Sequence, residues 1–322
     1  MNKHSLKLIS SESGNYIVTL AIGEKYYKNW EKYAQKTWVE YCNKNNIGLI
    51  IIVNSLDSSY KFRKMQWQKF LIPKHILTNY PEVLNICYLD TDILISPIAP
   101  NVFLQLEVDS IGLISARKNL PYPYYETMLR VSWFRHSISK GLYPLDSNIF
   151  ASIADLYTLS GLPIKDDYAC SGVFLLNIRF FALAIENIYV TYSSDVKTIT
   201  DGGEQTHLNY EFQNRFKIKW LDYKFQAIWL YEVANFYPSL FWPSNRRNSA
   251  RNIEDSLLNN YFLHFSGSWP ESSLWKNSKI FNSSKKIQNY VAYTKSLFVK
   301  RNGTPVGKIF PKKTILQKLK FR

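Results

Sequence analysis

Cysteine is scarce: the 322 residues contain only Cys42, Cys87 and Cys170. Three widely spaced thiols in apolar stretches make no disulfide framework, and no pair has zinc-site spacing. They read as buried free thiols of a chain in a reducing compartment. Long hydrophobic runs are missing too. No stretch reaches the roughly 18 apolar residues of a membrane span, and Met1 to Ser13 carries no apolar signal-peptide core. The chain is therefore expected to be cytoplasmic, soluble or peripheral on the cytoplasmic face of a membrane. Acidic residues are outnumbered, 25 against 40 Lys and Arg, for a formal charge of +15. Such a surface attracts phosphate-bearing substrates, anionic membrane or nucleic acid. Zinc-finger, RNA-recognition and helix-turn-helix signatures are absent, and the basic residues cluster on no predicted helix outside the tail, which argues against nucleic acid. Internal repeats and low-complexity segments are also lacking.

What is present is an ordinary apolar fraction of 46% and a high aromatic fraction of 16%, including 23 Tyr. That is enough to bury the core of one large α/β domain or two smaller ones. Tyr16 to Ala21 (YIVTLA) reads as a buried strand. A helix is expected from about Glu24 to Asn46, with Tyr26, Trp30, Tyr33, Thr37 and Tyr41 at three- and four-residue steps. Leu49 to Val53 (LIIIV) is a second strand, Lys61 to Leu71 a helix, and Pro73 suits the first turn of another. Val83 to Leu89 (VLNICYL) is a third strand. Strands alternating with helices predict a mostly parallel sheet flanked by helices. Residues from about 120 to 162 read as a loop-rich insertion with short helices. Further on, Val173 to Leu176 is a strand, about Ile178 to Val190 a helix, and Gly202-Gly203 opens another helix. Tyr261 to Phe265 is a last strand. The main domain is placed at 1–280, with a basic extension over 281–322. In that extension Lys308 to Arg322 interleaves Lys and Arg with Ile, Leu and Phe. This suits an anionic bilayer, and equally a solvated helix or an unstructured end.

Three groups carry chemistry. Asp90-Thr91-Asp92 ends a seven-residue apolar run, at the carboxyl end of a strand, where ligands of open α/β sheets bind. Two carboxylates buried there would need a counter-charge, which a divalent cation that also holds phosphates would supply; the plainer reading is a strand-end turn with solvated carboxylates. His264 ends another strand; a lone histidine is more often structural than a ligand, but here it could complete a site of two carboxylates and one imidazole, a set that suits Mn²⁺ better than Mg²⁺. Asp201-Gly202-Gly203-Glu204-Gln205 precedes a helix N-terminus, whose free N–H groups favour anions or carbonyls.

The order LDTDI, SGVFLLN, EQTHLN, HFSG resembles the GT-A glycosyltransferases. It is most similar to the retaining family 8 type that contains glycogenin and the bacterial lipooligosaccharide galactosyltransferases. The resemblance spans roughly Tyr16 to Trp269. It implies a GT-A, Rossmann-like fold and transfer of a hexose from a UDP-sugar to a glycan, lipid-linked or protein acceptor. Asp90, Asp92 and His264 are the implied ligands of Mn²⁺ (or Mg²⁺), with Asp90 also near the ribose. Leu20, Ala21 and Tyr26 match the segment that holds the base. Lys69 matches a basic residue on donor phosphate or sugar, with Lys64 and Arg63 as rivals. Ser171 and Gly172 match the lining of the sugar pocket, and Gly267 the glycine of the His-x-x-Gly. Glu204 and Gln205 match the pair beside the anomeric carbon.

Two departures stand out. Cys170 replaces the usual Asn, and Ser268-Trp269-Pro270 stands where a Lys-Pro-Trp is usual, with Lys276 the nearest substitute. The resemblance implies retention, for which Glu204 is the candidate nucleophile. An inverting enzyme would need a general base, for which Asp166 or Asp167 are placed. The alternatives are a non-catalytic GT-A relative that binds a glycan or partner, and a nucleotidyltransferase, which lacks the later motifs.

Overall fold

The computed structural model describes residues 4–57, 64–138, 150–192, 203–267 and 269–278. Arg63, Asp201, Gly202, Ser268 and the basic tail lie outside them. The described residues fall within a compact unit, Met1–Ile280.

In chain order the elements are β1 (Ser5–Ile9), β2 (Asn15–Leu20), α1 (Glu24–Tyr33), α2 (Gln35–Asn45) and β3 (Gly48–Ile52). A 3-10 helix at Met65–Leu71 leads into α3 (Ile72–Asn79), β4 (Asn85–Leu89), β5 (Ile93–Ile95), β6 (Ser110–Ser115) and α4 (Tyr124–Ile138). There follow α5 (Ile153–Leu159), β7 (Ala169–Asn177), α6 (Ile178–Thr191), α7 (Gln205–Arg215) and β8 (Lys217–Trp220). The described chain closes with β9 (Ala227–Ile228), α8 (Trp229–Phe236), α9 (Ser249–Asn259) and β10 (Phe262–His264).

Seven strands form one sheet in the order β1-β3-β2-β4-β7-β6-β8. β2 runs parallel to β3 and β4, and β6 parallel to β8, while β7 is antiparallel to both β4 and β6. With β1 also antiparallel to β3, five strands point one way and two the other. The mostly parallel α/β sheet expected from the sequence is therefore present. The near-continuous apolar runs of β2, β3 and β4 suit strands covered on both faces, and their inner residues are fully buried. A second sheet, β5-β10-β9, is small, but it decides the geometry of the site.

Four local features differ from expectation. The helix expected from Glu24 to Asn46 is broken at Ala34, whose φ of −117° departs from the regular helical value of about −63°. The break lies between the buried Trp30 and Trp38, which pack edge to face at 5.6 Å. The polar N-terminal segment contains a strand, β1, at the sheet edge. One side there is exposed, so its sequence need not be apolar. The helix expected from Lys61 is, where described, a 3-10 turn. Within 120–162 the structure holds the 15-residue α4 rather than short helices alone. That helix escaped periodicity because Thr127, Ser132 and Arg135 are buried while Tyr125, Leu129 and Trp133 are exposed.

Candidate active site

The parallel strands end together on one edge, and β7 starts there. β4 delivers Asp90, whose N–H donates to the Gly172 carbonyl of β7 at 2.9 Å. After Thr91 the chain leaves the large sheet, and β5 pairs with β10 so that Ile93 faces His264. Next to that pair, Phe265 N–H donates to the Asp92 carbonyl at 3.1 Å. This short antiparallel pairing brings the imidazole to the two carboxylates.

The resulting cluster is tight. One ligand atom each from Asp90, Asp92 and His264 lies within 4.8 Å of the other two. His264 Nε2 stands 3.3 Å from Asp92 and 3.7 Å from Asp90. The ring itself is buried, while both carboxylates keep partial access to solvent. Burial alone would lower the His264 pKa, but Cys170 and Asp92 beside it hold it well above the ordinary value. Burial likewise opposes the Asp92 charge, and His264 more than offsets it, so the carboxyl lies below its usual range.

Behind Asp90 sits Lys69, only 3% exposed, delivered by the 3-10 helix. Its Nζ is 3.2 Å from Asp90 and 2.8 Å from Glu204. It also donates to the Ser171 carbonyl and hydroxyl at 3.1 and 3.2 Å. Desolvation works against this ammonium, but Asp90 and Glu204 outweigh it and raise its pKa. Tyr88 donates to Asp90, and its ring lies under the ammonium at 5.2 Å. Lys69 thus faces two carboxylates, Asp90 and Glu204, while Asp92 lies against His264. When the imidazole gives its lone pair to a cation it is neutral, and Asp90, Asp92 and Glu204 against Lys69 then leave two negative charges for one divalent cation; an O, O, N donor set suits Mn²⁺. Gly172 fits this too: a Cβ there would stand 2.3 Å from His264 Cε1, so only glycine leaves the ring its place.

A cleft of about 640 Å³ opens over the cluster, within the usual size range of small-molecule sites. Of the residues picked out from sequence, Leu20, Tyr26, Lys64, Lys69, Asp90, Asp92, His264 and Gly267 line it. Ala21 does not. It is fully buried and holds the strand end through its N–H on Ile52. Ser171 and Glu204 lie behind Lys69, with Ser171 Oγ donating to Glu204 at 2.7 Å. Gln205 opens α7 and accepts from Ser171 N–H at 3.2 Å. Asp166 is exposed and Asp167 buried; the latter accepts from Ser115 Oγ and Tyr168 N–H, and neither lines the cleft. Lys276 is exposed and does not line it either. Sequence reasoning missed Tyr88, Ile22, Met65, Gln66 and Ser266 as lining residues. Tyr88 was hidden inside an apolar run, and the others carry no spacing signal.

A model of the galactosyl transferase GMA12/MNN10 family matches residues 11–109, the segment from before β2 to just short of β6. It includes Lys69, Asp90 and Asp92. No curated protein matches the chain in sequence. Among solved structures, one that it resembles is a glycosyltransferase involved in glycosylation of the major capsid of PBCV-1. That likeness has 9% identity, covers 82% of this chain and 97% of that one, and has a TM-score of 0.48. Another is the galactosyltransferase LgtC in complex with donor and acceptor sugar analogues, at 12% identity, 82% and 96% coverage, and a TM-score of 0.42. A third is the glycosyltransferase GlyE of Streptococcus pneumoniae TIGR4, at 13%, 87% and 63%, with a TM-score of 0.43. The matched family is one of sugar transferases, and the glycosyltransferase expectation is met there.

Proposed function

We propose that this glycosyltransferase is metal-dependent and moves a hexose from a UDP-sugar to a glycan, lipid-linked or protein acceptor, with retention. The observation that carries the reading is the Asp90–Asp92–His264 cluster lining the cleft, with one ligand atom of each within 4.8 Å of the others. These three residues would hold Mn²⁺ (or Mg²⁺), and the bound cation would supply Lewis-acid stabilisation of the leaving diphosphate.

The chain's own residues do the rest. Leu20 and the exposed ring of Tyr26 line the cleft and would hold the base of the nucleotide. Lys69, kept protonated by Glu204 and Asp90, adds positive charge beside the phosphates. Held by several partners at once, it needs little reorganisation when charge develops. Lys64 stands at the rim as a second cation. Glu204 is only 2% exposed and committed to Lys69 and Ser171, which favours a bracing role over direct attack. Gln205, at the start of α7, is the candidate to steady the reacting centre.

Calorimetry and thermal unfolding with UDP, with and without Mn²⁺, on wild type and Asp92→Asn test the reading. UDP is expected to stabilise the wild type only with Mn²⁺, by about 2.7 kcal/mol at 100 times its dissociation constant. Asp92→Asn should lose that effect. If UDP has no effect with any divalent metal, the donor assignment falls, and a GDP and CMP panel shows whether the cleft takes another nucleotide.

A further inference from the structure

An imidazole nitrogen binds a cation through its lone pair. If His264 Nε2 faces the cation, the ring must carry its proton on Nδ1. That N–H points into the protein, where a donor without an acceptor is costly. Among the described residues two side chains reach it: the Gln226 amide at 3.1 Å and the Cys170 sulfur at 3.7 Å.

Gln226 is 1% exposed and ends the 3-10 helix Tyr223–Gln226, directly before β9, which pairs with the strand of His264. Its amide nitrogen is the end nearest Nδ1, while its Oε1 is buried with no partner among the described residues. The two ends of an amide have the same shape, and a half-turn exchanges them. In that orientation Oε1 accepts the Nδ1–H, and the amide NH2 takes the oxygen's former place. The sulfur is the more distant and the weaker acceptor. Gly172 closes the pair in: a Cβ there would stand 2.8 Å from both the Gln226 amide nitrogen and His264 Nδ1.

We propose that Gln226 is the positioning residue of the metal-binding imidazole: its side-chain oxygen holds the Nδ1 proton and so turns the Nε2 lone pair toward Asp90 and Asp92. This rests on the metal-dependent reading of the same site. Gln226 touches neither cation nor substrate, and as a neutral acceptor it adds no charge behind the ring.

The test compares full-length wild type, Gln226→Leu and Gln226→Glu. Mn²⁺ binding is followed by electron paramagnetic resonance of the free ion, with and without UDP. The protonation of the His264 ring nitrogens is read by ¹⁵N NMR with Mg²⁺ and UDP. Removal of an outer partner of a metal-bound histidine weakens the metal about 10- to 100-fold. That loss is expected for Gln226→Leu, whereas Gln226→Glu, which keeps an acceptor oxygen, should bind as wild type or tighter with Nδ1 protonated. Wild-type affinity in a folded Gln226→Leu overturns the inference, as does a loss in Gln226→Glu equal to that in Gln226→Leu. If Gln226→Leu does not fold, Gln226→Glu decides alone: retained binding supports the proposal and lost binding overturns it. If the wild type itself takes up no Mn²⁺, with or without UDP, the metal-dependent reading falls and the inference with it.

Discussion

A methyl group on Gly172 would stand 2.3 Å from Cε1 of His264. The strand that carries Gly172 and the imidazole 92 positions later therefore share one space, and the smallest residue is what lets the ring lie against the sheet edge. Gly172→Ala is expected to displace His264 rather than unfold the protein. Overpacking of this kind costs about 1–3 kcal/mol. Mn²⁺-dependent UDP binding should fall far more than the unfolding midpoint does. Calorimetry and urea unfolding on the same samples check it, and intact binding in Gly172→Ala would show that the ring has another place to go.

Lys69→Met leaves Asp90 and the buried Glu204 without their shared cation. Breaking such a pair from one side costs about 3–5 kcal/mol. Mn²⁺ should recover part of this loss, because Asp90 then regains a positive neighbour while Glu204 does not. Urea unfolding with and without Mn²⁺ measures both parts. Equal losses in the two conditions would separate Lys69 from the metal site.

Glu204 has two candidate roles, and azide distinguishes them. If it braces Lys69, Glu204→Ala loses turnover and azide does not restore it. If it is the nucleophile, azide enters the vacated space and a glycosyl azide forms. Mass spectrometry of the products reads the outcome; the bracing geometry predicts no azide adduct.

His207 is 1% exposed and packed against Trp67 and Tyr192, and its Nδ1 has no partner among the described residues. Burial lowers its pKa to about 4. The folded state thus keeps this ring neutral where the unfolded chain, near pH 6.5, takes up a proton. Stability from this group is complete above that value and is lost as pH falls from about 6.5 toward 4. The full effect is on the order of 3 kcal/mol. His207→Phe, which keeps the aromatic packing, should flatten that acid limb in urea titrations across the same range.

The basic tail gives a prediction from sequence alone. Deletion of Lys308 to Arg322 is expected to reduce sedimentation with anionic liposomes and leave neutral liposomes unaffected. Equal pelleting of both forms would remove the membrane role.

Much of the framework was legible because strands buried on both faces must be apolar throughout. The runs of β2, β3 and β4 therefore announced themselves, and the carboxylates at the end of β4 contrasted with everything before them. Local sequence could not announce β1, an edge strand with one wet side, or α4, whose buried and exposed positions invert the usual pattern. It also could not show the break at Ala34, which lies between the buried Trp30 and Trp38.

By itself the sequence determined the sheet, the strand-end carboxylates and the histidine that joins them, since each is written in the chemistry of a few adjacent residues. The tertiary structure alone decided what those residues touch. Pairing of β5 with β10 set His264 against Asp90 and Asp92, the 3-10 helix at Met65–Leu71 carried Lys69 to Asp90 and Glu204, and pairing of β9 with β10 put Gln226 behind the imidazole. The reason is physical: a charge or a lone pair takes its role from neighbours a few ångströms away, and these neighbours come from segments far apart in the chain.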